Sequence, residues 1–249
     1  MLTLKLTVLG FLGGYPSHGD GTSSYLLEAD GFKLLIDFGS GALLSLEKIT
    51  DPLTIDAMIL THYHNDHIAD VGVMQYYWQL HAERPREAVL PIYGHQEDQQ
   101  HFDSLDWPKS TKKVAYNPDA ELKIGPFKII FQKTHHPVTA YALRIEEIKT
   151  GKVLAFTADS AYFEGLKEIC KDADLLLTDT NFFSNKTGQK WHMTTAETGK
   201  LATDSNVKKV LLSHLPEDND TDRLINETKK AITKDIPVMV AKTHLVVQM

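Results

Sequence analysis

One nine-residue stretch decides the fold and chemistry of this chain: Ile59-Leu60-Thr61-His62-Tyr63-His64-Asn65-Asp66-His67. It places three imidazoles and one carboxylate within six positions, directly after an apolar run at 57–60 that is typical of a buried strand. In an extended loop His62 and His64 project to the same side, whereas on a helix they would point about 200° apart. The extended conformation therefore brings both imidazoles to one metal ion.

The residues that follow predict a helix that begins near Asn65 and Asp66. Side chains suited to a buried face recur there at steps of three and four residues, namely Ile68, Val71, Met74, Gln75 and Trp78. Asp66 and His67 then lie in the first turn of this helix and face the same cavity from a second direction. They are placed to serve a neighbouring metal ion.

Four side chains cannot complete two metal sites, so we expect further ligands at the ends of later strands. Three positions carry a suitable residue type directly after a predicted strand. These positions are His135 or His136, Asp159, and His214. Sandwich and α/β folds gather their sites at the carboxyl ends of strands. Imidazole and carboxylate ligands suit zinc, with iron and manganese as alternatives.

The order of predicted elements indicates an α/β fold. Strands are predicted at 4–9, 24–28, 33–37, 57–60, 127–132, 141–145, 153–157, 175–178 and 210–212, and further helices at 41–48, 194–203 and 222–232. The Asp30-Gly31 pair predicts a hairpin turn, and Thr194 followed by Glu197 predicts a capping box. Strands occur in consecutive pairs before each helix, which predicts two packed sheets with helices outside, a four-layer αββα sandwich. Without a linker or repeat, 1–249 is expected to form a single domain.

Composition limits the classes of partner. The formal net charge of −7 disfavours a general nucleic-acid surface, and no stretch approaches the roughly 20 apolar residues of a membrane span. The alternating Leu2, Leu4, Leu6 and Val8 indicate a strand rather than a signal peptide. Cys170 is the single cysteine and is interpreted as a small buried residue. A cytoplasmic location is therefore expected.

The complete ligand series resembles that of the metallo-β-lactamase fold superfamily, over nearly the whole chain. The series is His62, His64, Asp66, His67, His136, Asp159 and His214. The resemblance implies two metal ions. One is held by His62, His64 and His136, the other by Asp66, His67 and His214, and Asp159 bridges them. His136 is preferred to His135 because Tyr141 and Arg144 fall at the offset of ribonuclease Z-like members.

The carboxyl-terminal part resembles ribonuclease Z and related phosphodiesterases in the order and spacing of the blocks at 178–182, 191–197 and 210–214. This implies that His192 lies beside the metals, as a phosphate contact or proton donor. Two divalent ions outweigh the negative charges of Asp66, Asp159 and one bridging hydroxide, leaving a positive centre that attracts a phosphodiester. The expected reaction is attack on phosphorus by that hydroxide, with Asp66 orienting it.

Two departures argue against a tRNA 3′-end endonuclease. Asp159 follows His136 by only 23 positions, where ribonuclease Z carries its long tRNA-binding arm. The loop at 16–21 also lacks both basic residues of the corresponding ribonuclease Z motif. A small or cyclic phosphodiester or nucleotide is therefore the expected substrate, and nucleic acid is not favoured. Thr178 and Asp179 stand where the relatives usually have histidine and glutamate, which puts the support of the site in doubt.

Other functions remain open at this point. The same centre could hydrolyse lactone, thioester or β-lactam bonds, cleave tRNA as a ribonuclease Z-like enzyme, or hold metal without catalysis. An oxidoreductase of the flavodiiron type is disfavoured because that branch usually has glutamate where this chain has His64. The relatives often form dimers, so a homodimer is an expected partner, together with a small-molecule phosphodiester and no membrane.

Overall fold

The structure is a computed structural model that describes residues 4–249, so Leu2 of the alternating amino-terminal pattern lies outside the described residues. Within this range the chain divides into two compact units. Unit 1 contains the chain up to Asn117 together with Ile124–Pro126 and Lys242–Gln248, and unit 2 contains Pro118–Lys123 and Phe127–Ala241. The single domain over 1–249 stays a prediction.

The elements follow in chain order. The strands are β1 (Lys5–Gly10), β2 (Ser24–Ala29), β3 (Phe32–Phe38), β4 (Ala57–Ile59), β5 (Leu90–Gly94), β6 (Thr111–Ala115), β7 (Leu122–Ile124), β8 (Phe127–Lys133), β9 (Tyr141–Glu147), β10 (Val153–Phe156), β11 (Leu175–Asp179), β12 (Val210–Ser213), β13 (Val238–Val240) and β14 (Val246–Gln248). The helices are α1 (Ala42–Glu47), α2 (Asn65–Ile68), α3 (Val71–Leu80), α4 (Gln99–Ser104), α5 (Leu166–Cys170), α6 (Thr195–Asp204) and α7 (Thr221–Ala231), with a 3₁₀ turn at Pro52–Thr54. None of the helices in the described part of the chain is long and apolar enough to cross a bilayer.

The sheet of unit 1 is mixed and has the order β14-β1-β2-β3-β4-β5-β6. The antiparallel part of this sheet contains the predicted hairpin. Its turn residues, Asp30 and Gly31, have positive φ of 51° and 78°, which the two-residue hairpin turn typical of Asp-Gly requires. From β3 to β6 the strands are parallel, so their carboxyl ends lie at one edge. Buried apolar side chains, among them Leu35, Met58 and Trp78, form the core of this unit.

The single helix predicted after His64 is wrong in one respect, because α2 and α3 are separate helices. The break occurs at Asp70. Its backbone N–H donates to Phe38 O at 3.1 Å, and its carboxylate accepts the N–H of Leu43 at 3.0 Å. These bonds outside the helix divert the chain between the two helices, a tertiary constraint that periodicity alone does not reveal.

The sheet of unit 2 is also mixed, in the order β13-β12-β11-β10-β9-β8-β7. Strands β8, β9 and β10 are antiparallel, and β10 to β13 are parallel. Helix α6 packs on α7 and β11, and α5 packs on β9. The predicted capping box is confirmed, since the side chains of Thr194 and Glu197 each accept from the other residue's backbone N–H. Cys170 is buried, and burial raises the pKa of its thiol to about 12.

Two glycines give opposite predictions for stability. A Cβ added at Gly10 would lie 2.0 Å from the carbonyl oxygen of Thr22, whereas one added at Gly72 in α3 meets nothing within 4 Å. We expect Gly10→Ala to lower the free energy of unfolding by about 2 kcal/mol or more through overpacking. Gly72→Ala should raise it by about 0.5–1 kcal/mol. Urea unfolding followed by circular dichroism measures both, and equal changes in the two variants would contradict the described packing at β1.

Candidate metal centre

Unit 1 gathers four predicted ligands at the carboxyl end of β4, and we call His62, His64, Asp66 and His67 the first donor set. His62 Nε2 lies 3.2 Å from His64 Nδ1, so both imidazoles project to the same side of the extended segment. The rings of His62 and His67 are 4.1 Å apart between centroids. His67 Nε2 is 3.7 Å from a carboxylate oxygen of Asp66. The four side chains thus form one compact group within this unit.

Asp37 supports the first donor set and was missed by the sequence reasoning. It is the second-last residue of β3, is fully buried, and accepts from His67 Nδ1 at 2.8 Å. It also accepts the Thr61 N–H at 2.8 Å and the Thr61 hydroxyl. With His67 Nδ1 directed at Asp37, Nε2 becomes the nitrogen directed at a ligand or metal. The strand-end criterion that selected Asp159 would have found Asp37, the final residue of the predicted strand 33–37.

Two glycines hold Asp66. The N–H of Gly14, in the glycine-rich loop between β1 and β2, donates to Asp66 Oδ2 at 2.8 Å. A Cβ added at Gly39 would lie 2.0 Å from the backbone oxygen of Asp66. Close approach of backbone therefore fixes both the side chain and the main chain of this residue.

Unit 2 gathers the other three predicted ligands, and we call His136, Asp159 and His214 the second donor set. Asp159 Oδ2 is 3.2 Å from His214 Nε2 and 3.8 Å from His136 Nε2. All three side chains are buried. The ring of His135 instead stacks on Phe163, with 4.1 Å between centroids. Of the two adjacent histidines, His136 is therefore the one that faces Asp159.

Asp179 joins the second donor set to His192. It is fully buried at the end of β11, where one oxygen is 2.8 Å from His192 Nδ1 and the other is 3.4 Å from His214 Nδ1. The Ser160 N–H also donates to it at 3.1 Å. Within unit 2, the aspartate at this position therefore contacts both imidazoles.

Burial and neighbouring charges shift the pKa values of Asp179 and His192. Burial by itself would raise the pKa of Asp179. The neighbouring imidazoles of His192 and His214 outweigh burial and hold this pKa below its usual range. Burial likewise disfavours the imidazolium of His192, yet the Asp179 carboxylate outweighs it and raises the pKa of His192. Ligand atoms of Asp159, Asp179, His192 and His214 all lie within 4.8 Å of one another, a cluster that could hold a metal ion.

Strained backbone accompanies the strand ends. Asp37, Ala158 and His214 have φ of 54°, 48° and 51°, in the left-handed region that residues with a side chain rarely adopt. Such conformations cost energy and persist where the surroundings fix them, commonly at functional sites. Each of the three either belongs to a donor set, precedes one of its members, or contacts one.

The loop that precedes His192 is fixed at several points. The Trp191 carbonyl oxygen lies 3.3 Å from His136 Nδ1, which leaves His136 Nε2 on the side of Asp159. Glu227 of α7 accepts the Ser184 N–H in the first part of the loop at 2.7 Å and the hydroxyl of Thr195, just after the loop, at 2.7 Å. Arg223 Nε also donates to Glu227, at 2.8 Å. These contacts hold both ends of the loop.

The comparisons with known proteins agree on the family. A model described as a beta-lactamase superfamily domain matches residues 34–215. The Bacillus subtilis (strain 168) protein named "Probable metallo-hydrolase YhfI" is 39% identical over 237 residues, 94% of this chain and 96% of that protein. The crystal structure of the metallo-beta-lactamase fold protein YhfI from the same organism superimposes with a TM-score of 0.93 at 37% identity, covering 100% of both chains. The predicted α/β fold of the metallo-β-lactamase type is thereby confirmed.

Two further proteins are more distant. A ribonuclease Z of Streptomyces coelicolor is 21% identical over 266 residues, 86% of this chain and 87% of that protein. A diphosphatase from the PhnP family has a TM-score of 0.72 at 20% identity, covering 99% of this chain and 98% of that chain. At this identity the structural likeness concerns the fold alone.

Glu227 predicts a pH dependence of stability. Burial would raise its pKa, but the N–H of Ser184, the Thr195 hydroxyl and Arg223 lower the pKa to about 2 in the folded protein. The unfolded value is about 4.3, so the stabilisation is complete above that pH and is lost as the pH falls towards 2. We expect Glu227→Gln to be less stable than wild type at pH 7, and the difference to shrink between pH 5 and 2.

Chemical unfolding at a series of pH values measures this difference. Glu121→Gln, at an exposed position of unit 2, is the matched control and should follow wild type throughout. A constant gap between Glu227→Gln and wild type down to pH 2 would show that the Glu227 carboxylate does not hold the loop.

Proposed function

We propose that this chain, which belongs to the metallo-β-lactamase fold superfamily and to its ribonuclease Z-like branch, is a metal-dependent phosphodiesterase for a small or cyclic phosphodiester. The observation that carries this proposal is the pair formed by Asp179 and His192. A buried carboxylate orients an imidazole beside a candidate metal cluster, and such an imidazole can protonate the alkoxide that leaves phosphorus. The name of the Bacillus subtilis relative supports the coarser assignment as a metallo-hydrolase.

The two donor sets are proposed to act together, so that the two units form one hydrolase domain over 1–249. In this proposal His62, His64 and His136 would hold one ion, Asp66, His67 and His214 would hold the other, and Asp159 would contribute to both sites. The donors are imidazoles and carboxylates, a set that fits zinc and also accommodates manganese or iron. Asp37 and Asp179 support this role, since each orients an imidazole of one donor set.

The residues around the donor sets have separate tasks. When bound, two divalent cations make water more acidic and stabilise negative charge on the oxygens around phosphorus. Asp66, with one oxygen held by the Gly14 N–H, orients the attacking water. His192 turns Nδ1 to Asp179, so Nε2 is the atom that donates a proton to the leaving oxygen or contacts the phosphate.

The substrate is proposed to be small rather than tRNA. Between His136 and Asp159, the described chain contains β9, the turn after it and β10, which leaves no room for a long arm. The loop at 16–21 carries no lysine or arginine. The net charge of −7 also disfavours a polyanionic partner. The cytoplasmic location and the homodimer stay predictions.

A substrate panel on protein of known metal content tests the reaction class. We expect turnover of bis(p-nitrophenyl) phosphate and cyclic nucleotides, loss of turnover on chelation, and recovery with Zn²⁺ or Mn²⁺. Phosphomonoesters, lactones, thioesters and a β-lactam complete the panel. Hydrolysis of a lactone or thioester by fully loaded protein that leaves every phosphodiester intact would assign carboxyl-type chemistry instead. Turnover of none of them would support a non-catalytic protein.

His192→Ala tests the proton donor. We expect kcat for a phosphodiester to fall about 10²- to 10⁴-fold, the usual contribution of a general acid, with metal content unchanged. The effect should be smaller for a p-nitrophenyl ester than for an alkyl ester, because nitrophenolate leaves without a proton. His81→Ala, at an exposed histidine beyond α3, is the control and should retain wild-type kcat. Equal kcat in both variants would remove His192 from the mechanism.

A further inference from the structure

Unit 1 contains a cavity that the proposed reaction does not use. Its volume is about 370 Å³, within the range of about 300–1,000 Å³ that is typical of small-molecule pockets. The walls come from the loop at 16–21, from α1 and the residues on either side of it, and from the segment at 243–244. None of the first donor set lines it. We call it the loop cavity.

Hydrogen-bond donors and hydrogen-bond acceptors both line the loop cavity. They are His18, Asp20, Ser45, Lys48, Thr243 and His244. Lys48 is exposed, and within residues 4–249 no carboxylate forms an ion pair with its ammonium. One oxygen of Asp20 accepts the Thr243 hydroxyl at 2.6 Å, which leaves the carboxylate with further acceptor capacity. The cavity therefore offers a cation for a phosphate and a carboxylate for hydroxyl groups.

Contacts within the protein hold the walls of the loop cavity in place. His18 and His244 have φ of 51° and 65°, conformations that cost energy for residues with a side chain. His244 is fixed by its N–H, which donates to Val8 O at 2.8 Å, and by Nε2, which lies 3.0 Å from Ser45 Oγ. A site with fixed walls loses little conformational freedom when it binds.

The apolar part of the lining limits the ligand. Leu9, Pro16 and Leu44 also face the loop cavity, and they can cover one side of a sugar or similar ring. A phosphate alone would leave Asp20 without a complementary group and would meet its negative charge. A phosphorylated polyol uses the ammonium, the carboxylate and the apolar wall together.

We propose that the loop cavity binds a small phosphorylated polyol, such as a sugar phosphate or the sugar phosphate part of a nucleotide. Lys48 contacts the phosphate, and Asp20 accepts from hydroxyl groups of the ligand. The ligand contacts the loop between β1 and β2. The Gly14 N–H of the same loop donates to Asp66. Binding does not depend on the proposed hydrolysis, so this site stands or falls separately from the phosphodiesterase activity.

Isothermal titration calorimetry of the full chain, after chelator treatment so that metal does not capture phosphate, tests the proposal. The ligands are ribose 5-phosphate, inorganic phosphate and ribose. We expect ribose 5-phosphate to bind one per chain and more tightly than the other two. Lys48→Met should weaken it about tenfold or more, since it removes a charge-assisted hydrogen bond. Lys112→Met, at an exposed lysine of β6, is the matched control and should bind as wild type does.

Asp20→Asn tests the hydroxyl contact separately. Asparagine keeps an oxygen that can accept from Thr243, so the wall should remain intact, and thermal unfolding checks this. We expect the variant to bind ribose 5-phosphate several-fold more weakly and inorganic phosphate no more weakly. No heat from ribose 5-phosphate at millimolar concentration, or equal affinities in Lys48→Met and Lys112→Met, would overturn the site. Equal affinity of wild type and Asp20→Asn for ribose 5-phosphate would overturn the polyol assignment.

Discussion

A buried carboxylate that needs hydrogen-bond donors is the constraint on which each unit's site depends. An unpaired charge in a protein interior is costly, so Asp37 and Asp179 are stable only where donors converge on them. In unit 1 the donors are Thr61 and His67. In unit 2 they are His192 and the Ser160 N–H, and His214 Nδ1 lies 3.4 Å from the other carboxylate oxygen. The contacts that stabilise each buried carboxylate therefore also orient the imidazoles beside it.

Parallel strands explain why these carboxylates occur where they do. Asp37 lies at the end of β3 beside the segment after β4, and Asp179 lies at the end of β11 between the ends of β10 and β12. In both units the parallel part of the sheet brings separate chain segments to one edge, where backbone hydrogen bonding stops and polar side chains take over. Positive φ at Asp37 and His214 marks this change of direction.

The run from His62 to His67 allowed the first donor set to be predicted, because extended spacing and residue type agree there. The hydrophobic pattern located the strands that precede Asp159 and His214, and the capped helix after Thr194. It failed for β5 and β6, whose surrounding segment is polar and irregular, and for the break at Asp70, which depends on bonds to Phe38 and Leu43. Asp37 was missed because further ligands were sought only at the ends of strands later than His67, although the same criterion selects Asp37 at the end of the predicted strand 33–37.

The central proposal is that the two donor sets share two metal ions. Metal analysis by mass spectrometry after gel filtration tests it most directly. The account predicts two ions per chain in wild type, one in His67→Ala and in His214→Ala, and weakened retention of both in Asp159→Ala. A wild-type chain that retains no ion, or a loss confined to variants of one donor set, would contradict it.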